Sequence, residues 1–154
     1  MKKEIVIRAM KIEDYDQVHA LWMKISGFGI RSMDDSKEGV ERFLKRNPYC
    51  SVVAEKDGQI VGSILCGHDG RRGCLYHVCV HPDYRKQGIG KSMVVFAMQA
   101  LKREEINKVC LIAFTTIIFP RNLCIYGRAS IKTSAFSCQF SNVSMFPSFP
   151  NIIY

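Results

Sequence analysis

Hydrophobic and polar positions follow two rhythms along the chain. Ile5-Val6-Ile7-Arg8-Ala9 is rich in β-branched residues and predicts a first strand. Between about Ile12 and Met23 the apolar spacing becomes helical, with Tyr15, Val18, Leu21, Trp22 and Ile25 on one side. Glu13, Asp14 and Asp16 fall in the first turn, where the helix dipole favours acids. Gly27-Phe28-Gly29 breaks this helix. A second starts at the Asp34-Asp35-Ser36 cap, carries Val40, Phe43 and Leu44 as its apolar stripe, and stops at Asn47-Pro48. The stretch from Phe28 to Leu44 could shape a substrate pocket or simply hold two packing helices.

The two-residue period then returns. Ser51 to Lys56 and Gln59 to Gly67 predict two strands joined by the Asp57-Gly58 hairpin turn. Asp69-Gly70-Arg71-Arg72-Gly73 makes another turn, and Cys74 to Val80 is the third strand of a meander. From Gly90 to about Arg103, Met93, Val94, Val95, Phe96, Ala97, Met98 and Leu101 surround a helix that reads as buried against a sheet. Lys108 to Phe114 is a further short strand. A strand–helix–strand unit of this size is a right-handed crossover, so the strands at 74–80 and 109–114 should run parallel. The expected fold is α+β, of the three-layer α/β type, with an antiparallel meander passing into one parallel β-α-β pair. Residues 1–114 form its core. From Thr115 to Tyr154 neither period persists, and Pro120, Pro147 and Pro150 interrupt the chain. This region reads as a divergent tail, not a second domain.

Composition changes this picture in one place. The 154 residues are 47% hydrophobic and 23% charged, ordinary for a globular chain large enough to bury a core. No apolar run of about 18 residues predicts a membrane span, and the N-terminus lacks the apolar stretch of a signal peptide, so a cytoplasmic location is expected. Seven cysteines, none in a Cys-x-x-Cys pair, read as reduced, small core residues. The net charge of +8 is uneven: all 14 acidic residues lie at or before Glu105, and only Lys108, Arg121, Arg128 and Lys132 are charged beyond it. That break looks like a frameshifted or recombined C-terminus. A basic balance suits a polyanionic ligand. Nucleic acid is not expected, because the interleaved surface aromatics of single-strand binders are missing.

The chemistry concentrates between Val78 and Ser92, Val-Cys-Val-His-Pro-Asp-Tyr-Arg-Lys-Gln-Gly-Ile-Gly-Lys-Ser. A strand, a glycine-rich basic turn and a helix N-terminus follow one another, which aims free backbone N–H groups and the positive end of a helix dipole at one spot. Its natural occupant is a phosphate or pyrophosphate. A Walker A loop fails because Arg85 stands where the leading glycine is needed. The dinucleotide fingerprint fails because Met93 occupies its third glycine. A third pattern, Arg/Gln-x-x-Gly-x-Gly/Ala, is met in full by Arg85-Lys86-Gln87-Gly88-Ile89-Gly90.

With that run, the Asp-Gly hairpin and the meander before it, residues 5 to 114 resemble the GNAT superfamily of N-acetyltransferases. Gly67-His68-Asp69-Gly70-Arg71-Arg72-Gly73 is similar to a bacterial subgroup with poorly defined substrates. The resemblance implies that acetyl-CoA is the co-substrate. The backbone N–H groups of Lys86, Gln87, Gly88, Ile89, Gly90 and Lys91 would hold its pyrophosphate, flanked by Arg85 and Ser92. Val78, Cys79 and Val80 would pair with the pantetheine arm and polarise the thioester carbonyl. It also implies direct attack by a primary amine, of a small molecule, a protein N-terminus or a lysine, in a ternary complex. The protein would be a monomer or homodimer, without nucleic-acid or membrane partners.

Two proton tasks accompany that reaction: the amine must lose a proton, and the departing thiolate is helped by an acid, often a tyrosine in this family. Strict alternation puts Cys74, Tyr76 and Val78 on one face of the third strand, and His77, Cys79 and His81 on the other. The resemblance turns the first face to the acceptor, so Tyr76 is the favoured catalytic group and His77 is expected to point away. His77, Cys79 and His81 in line would span about 13 Å, too straight for one tetrahedral metal, and no metal is expected. Tyr126 is the candidate acid, although the helix that carries the family's tyrosine has no counterpart around it. The alternative is a module that holds CoA but transfers poorly, its C-terminal half being defective.

Overall fold

The computed structural model describes residues 4–25, 30, 33–113, 130–132 and 135–140, the last two stretches and 112–113 by backbone alone. The elements run in the order β1 (Val6–Ala9), a 3-10 turn (Ile12–Asp14), α1 (Tyr15–Lys24), α2 (Lys37–Arg46), β2 (Val52–Lys56), β3 (Gln59–His68), β4 (Gly73–Val80), α3 (Ile89–Arg103), β5 (Val109–Ala113), β6 (Ser130–Lys132) and β7 (Ala135–Phe140). They match the expected elements up to residue 113 to within a few residues. Ser36 caps α2, its hydroxyl accepting from the Gly39 N–H at 3.0 Å. The Gly27-Phe28-Gly29 break lies outside the described residues.

The strands form one mixed sheet in the order β1-β2-β3-β4-β5-β7-β6. β1 to β4 are antiparallel neighbours, whereas β4 and β5 run parallel, with Gly73 opposite Val109 and Leu75 opposite Leu111. The crossover through α3 therefore joins two parallel strands, as expected. β6 and β7 fall where the sequence pattern predicts no strand; β7 supplies the antiparallel partner for the outer edge of β5, from Val109↔Phe140 to Ala113↔Phe136.

Two cores lie on opposite faces of the sheet. On one, Met93, Ala97 and Leu101 of α3 pack against Val52, Ile64, Leu75 and Val109, all buried. Close approach of α3 depends on two strand residues without side chains. A Cβ at Gly73 would stand 2.6 Å from a Leu101 methyl, and one at Gly62 would stand 2.9 Å from the Met93 methyl. On the other face α1 brings Val18, Leu21 and Trp22 against Val53, Leu65 and Cys79, and Val40 of α2 joins them. An ion-pair cluster pins the start of α1 to the sheet: Arg8 bonds both oxygens of Asp14 at 2.7 Å and reaches Glu55 at 2.8 Å.

Candidate active site

β4 organises the site, because its two halves have different neighbours. From Gly73 to Leu75 it is paired on both sides. Beyond Leu75, among the described residues, its ladder with β5 ends while pairing with β3 continues to Val80. No described strand pairs with the outer edge of β4 around Val78 and Cys79, where an extended ligand could add to the sheet.

At the same place β4 carries a bulge. Ser63 pairs with Cys79 and Leu65 with Tyr76, so His77 and Val78 together stand opposite Ile64 alone. His77 takes φ 49, a left-handed conformation uncommon for a residue with a side chain. The extra residue resets the alternation. Tyr76 faces α2, its ring 6.0 Å from that of Phe43. His77 faces the same side, its ring 4.6 Å from that of Trp22 on α1. Cys79 follows onto that side, and Val78 moves to the α3 side. The expected grouping of Cys74 with Tyr76 is observed; the placing of His77 on the far face and of Val78 beside Tyr76 is corrected. Strict alternation holds only for an unbroken ladder, and no residue type in Leu-Tyr-His-Val-Cys announces a bulge.

The side chains around the bulge are tightly held. His77 Nε2 lies 2.6 Å from Asp35 Oδ1, and the Asp35 carbonyl accepts from the Tyr15 hydroxyl at 2.7 Å. Trp22 Nε1 donates to the Ser63 hydroxyl at 2.9 Å, which lies 3.3 Å from the Cys79 sulfur. Burial pushes the Cys79 thiol up to about 11, so it is un-ionised at neutral pH. Tyr76 is pushed up to about 12, first by burial and then by the neighbouring Cys74 thiol. Its phenol therefore keeps its proton at neutral pH.

Beyond Val80 the strand passes into the basic turn. The His81 N–H bonds the Val61 carbonyl at 2.8 Å, a 3-10 turn spans Pro82–Tyr84, and Arg85 Nε returns to the Val80 carbonyl at 3.1 Å. Arg85 thereby fixes where the turn leaves the strand. Lys86 (φ 60) and Gly88 (φ 78) both take left-handed conformations, and Gly88 caps α3. Nothing lies within 4 Å of a Cβ built on Gly88, so glycine serves there for its dihedral freedom and not for want of room in the turn. The first N–H to bond back into the helix is that of Ser92, to the Gly88 carbonyl at 3.0 Å, and the Ser92 hydroxyl bonds the same carbonyl at 3.2 Å. The N–H groups of Ile89, Gly90 and Lys91 are left as the outward donors of the first turn, which has no side-chain cap. Ile89 and Met93 anchor that turn in the core.

The candidate cofactor residues 78–80 and 85–92 thus occupy one continuous path, from the open edge of β4 to the N-terminus of α3. Tyr126 lies outside the described residues. Among those described, no three metal-ligating side chains converge, and no helix is long and apolar enough to cross a membrane.

The sequence profile of the Acetyltransferase (GNAT) family matches residues 15–116. The chain belongs to this family. It is similar to an acetyltransferase of Sodalis glossinidius, with 39% identity over 88 residues, which are 57% of this chain and 61% of that relative. In fold it is similar to the PaiA N-acetyltransferase of Thermoplasma acidophilum, solved in complex with coenzyme A, with a TM-score of 0.70 and 19% identity over 90% of this chain and 99% of that one. It is also similar to the diaminobutyrate acetyltransferase of Paenibacillus lautus, solved with its substrate and coenzyme A, with a TM-score of 0.62 and 21% identity over 74% of this chain and 68% of that one. The open edge and glycine turn described above lie within the residues that carry the family match.

Proposed function

We propose that the chain is an acetyl-CoA-dependent N-acetyltransferase that moves an acetyl group to a primary amine, of a small molecule or a peptide, by direct attack. The observation that carries this reading is the junction of β4 and α3: among the described residues the ladder between β4 and β5 ends at Leu75, and the strand leads on into outward N–H donors at Ile89, Gly90 and Lys91. The backbone of Val78, Cys79 and Val80 would pair with the amide-bearing arm of the co-substrate. The turn, helped by Arg85, Lys86 and the dipole of α3, would hold the pyrophosphate. The amine would approach from the α1/α2 side, where Tyr76 emerges and can donate a hydrogen bond to the departing sulfur.

Titration calorimetry with acetyl-CoA tests the cradle, and release of CoA thiol against a panel of amines tests transfer. Binding with amine-dependent release is expected. Binding without release would favour a CoA-holding module with an impaired acceptor half, and absence of binding would defeat the reading.

A further inference from the structure

Among the described cysteines, Cys50, Cys66 and Cys79 are buried, and burial pushes each of their thiols up, away from ready ionisation. Cys74 and Cys110 are only half-buried, and they are direct partners in the parallel ladder between β4 and β5. On its other side Cys74 pairs with Gly67, which presents no side chain. The Cys74 thiol lies within hydrogen-bonding reach of both the Cys110 thiol and the Tyr76 hydroxyl. Neighbouring strands lie about 4.8 Å apart, inside the ~4.4–6.8 Å between α-carbons that a disulfide spans. Register, exposure and contact thus single out one pair of sulfurs.

We infer that Cys74 and Cys110 are a redox-active dithiol, closed by peroxide to an intramolecular disulfide that slows transfer through Tyr76. Closure of the pair goes beyond the acetyl-transfer reading, and its effect on rate rests on that reading. The step balances. One sulfur, as thiolate, attacks a peroxide oxygen, the O–O bond breaks, and the first thiol's proton leaves with hydroxide as water. The second sulfur attacks the sulfenic acid so formed, the S–O bond breaks, and a second water departs with the second thiol's proton. Two thiols lose two electrons, and one peroxide becomes two waters. Burial pushes the Cys110 thiol up, while the Arg72 guanidinium nearby pulls it the other way and favours its thiolate. The pair stands one rung before the ladder ends at Leu75 opposite Leu111. A bond there draws the Cys74 sulfur toward β5 and leaves Tyr76 beside a sulfur without a proton. The phenol is then held differently at the point where it meets the acceptor side.

The test uses the whole chain, reduced and then exposed to a few equivalents of hydrogen peroxide. After alkylation and digestion, mass spectrometry should find Cys74 linked to Cys110 as the main product, and Cys110→Ser should give no such link. In the reduced state Cys110→Ser should consume acetyl-CoA within about twofold of the wild-type rate. Oxidation should slow consumption by the wild type about fivefold or more, dithiothreitol should restore it, and Cys110→Ser should be indifferent to peroxide. Acetyl-CoA affinity should change by less than about twofold, because the cradle lies at the other end of β4. Recovery of both cysteines as free thiols after peroxide, or their linkage mainly to others of the seven cysteines, would overturn the dithiol. A Cys74–Cys110 link that leaves consumption unchanged, or a Cys110→Ser protein still slowed by peroxide, would overturn the coupling to Tyr76. A reduced wild type that consumes no acetyl-CoA with any amine would overturn the acetyl-transfer reading instead, while the linked peptide would still decide the dithiol.

Discussion

The two ends of the site are built from different materials. At the α3 end the chemistry is made by the main chain: a turn with two left-handed residues, a glycine cap and the first N–H groups of a helix. On the α1/α2 side it is made of side chains, Tyr76, His77, Asp35 and Trp22, brought from three separate segments. A backbone cradle can tolerate many side chains but few changes of dihedral. A side-chain constellation is indifferent to most backbone detail but depends on every packed neighbour. Substitutions should separate the two accordingly.

The largest expected effect falls on the side-chain half. A Cβ at Gly67 would stand 2.7 Å from both the Phe43 ring and the Asn47 amide. Gly67→Val should therefore lower stability by about 3 kcal/mol and displace Phe43 from Tyr76, seen as a reduced thermal midpoint and impaired transfer. Acetyl-CoA affinity of the folded fraction should hold. Next is the anchor of α1. Burial works to raise the Asp14 carboxyl, but hydrogen bonds from Arg8 and the Lys11 N–H outweigh it and hold it below the ordinary carboxylate range. Its contribution is present above the unfolded-state pKa and is lost as pH falls through the lower folded-state value. Asp14→Asn should cost about 2 kcal/mol in chemical denaturation at neutral pH, and the gap to wild type should close on strong acidification.

The backbone half should respond to charge more than to bulk. Gly88→Asp or Gly90→Asp, which brings an acid to the proposed pyrophosphate position, should weaken acetyl-CoA binding about tenfold or more by calorimetry. Unchanged affinity in both would remove the turn from the site. The smallest effect is expected for Gly88→Ala, since its Cβ meets nothing. The left-handed conformation should cost about 1 kcal/mol of stability, read from the denaturation midpoint, with little loss of affinity.

That contrast also explains what could be read before the structure was known. The turn was legible because glycines at two fixed places, after a strand and before a helix, satisfy a demand that a phosphate would make on the main chain. The meander and the crossover were legible from Asp57-Gly58, the apolar periods and the length of α3. The grouping of His77 with Tyr76 was not, because it depends on one extra residue in β4 that leaves no mark on composition or period. Asp35 was visible only as part of a helix cap; its carboxylate meets His77 across 42 positions of sequence, a contact set by how the segment before α2 packs over β4. Strands β6 and β7 were missed for a related reason: Ala-Phe-Ser-Cys-Gln-Phe has little β-branched character, and its pairing is decided by the waiting edge of β5.

Trp22 is the only tryptophan in the chain, and its indole lies against the imidazole of His77. An imidazolium in van der Waals contact quenches indole emission, whereas a neutral imidazole does so weakly. The imidazole of His19 also meets that indole edge-on, with ring centroids 6.3 Å apart, so the intrinsic fluorescence of the protein is an optical gauge of two flanking rings at once, available without label, acceptor or turnover.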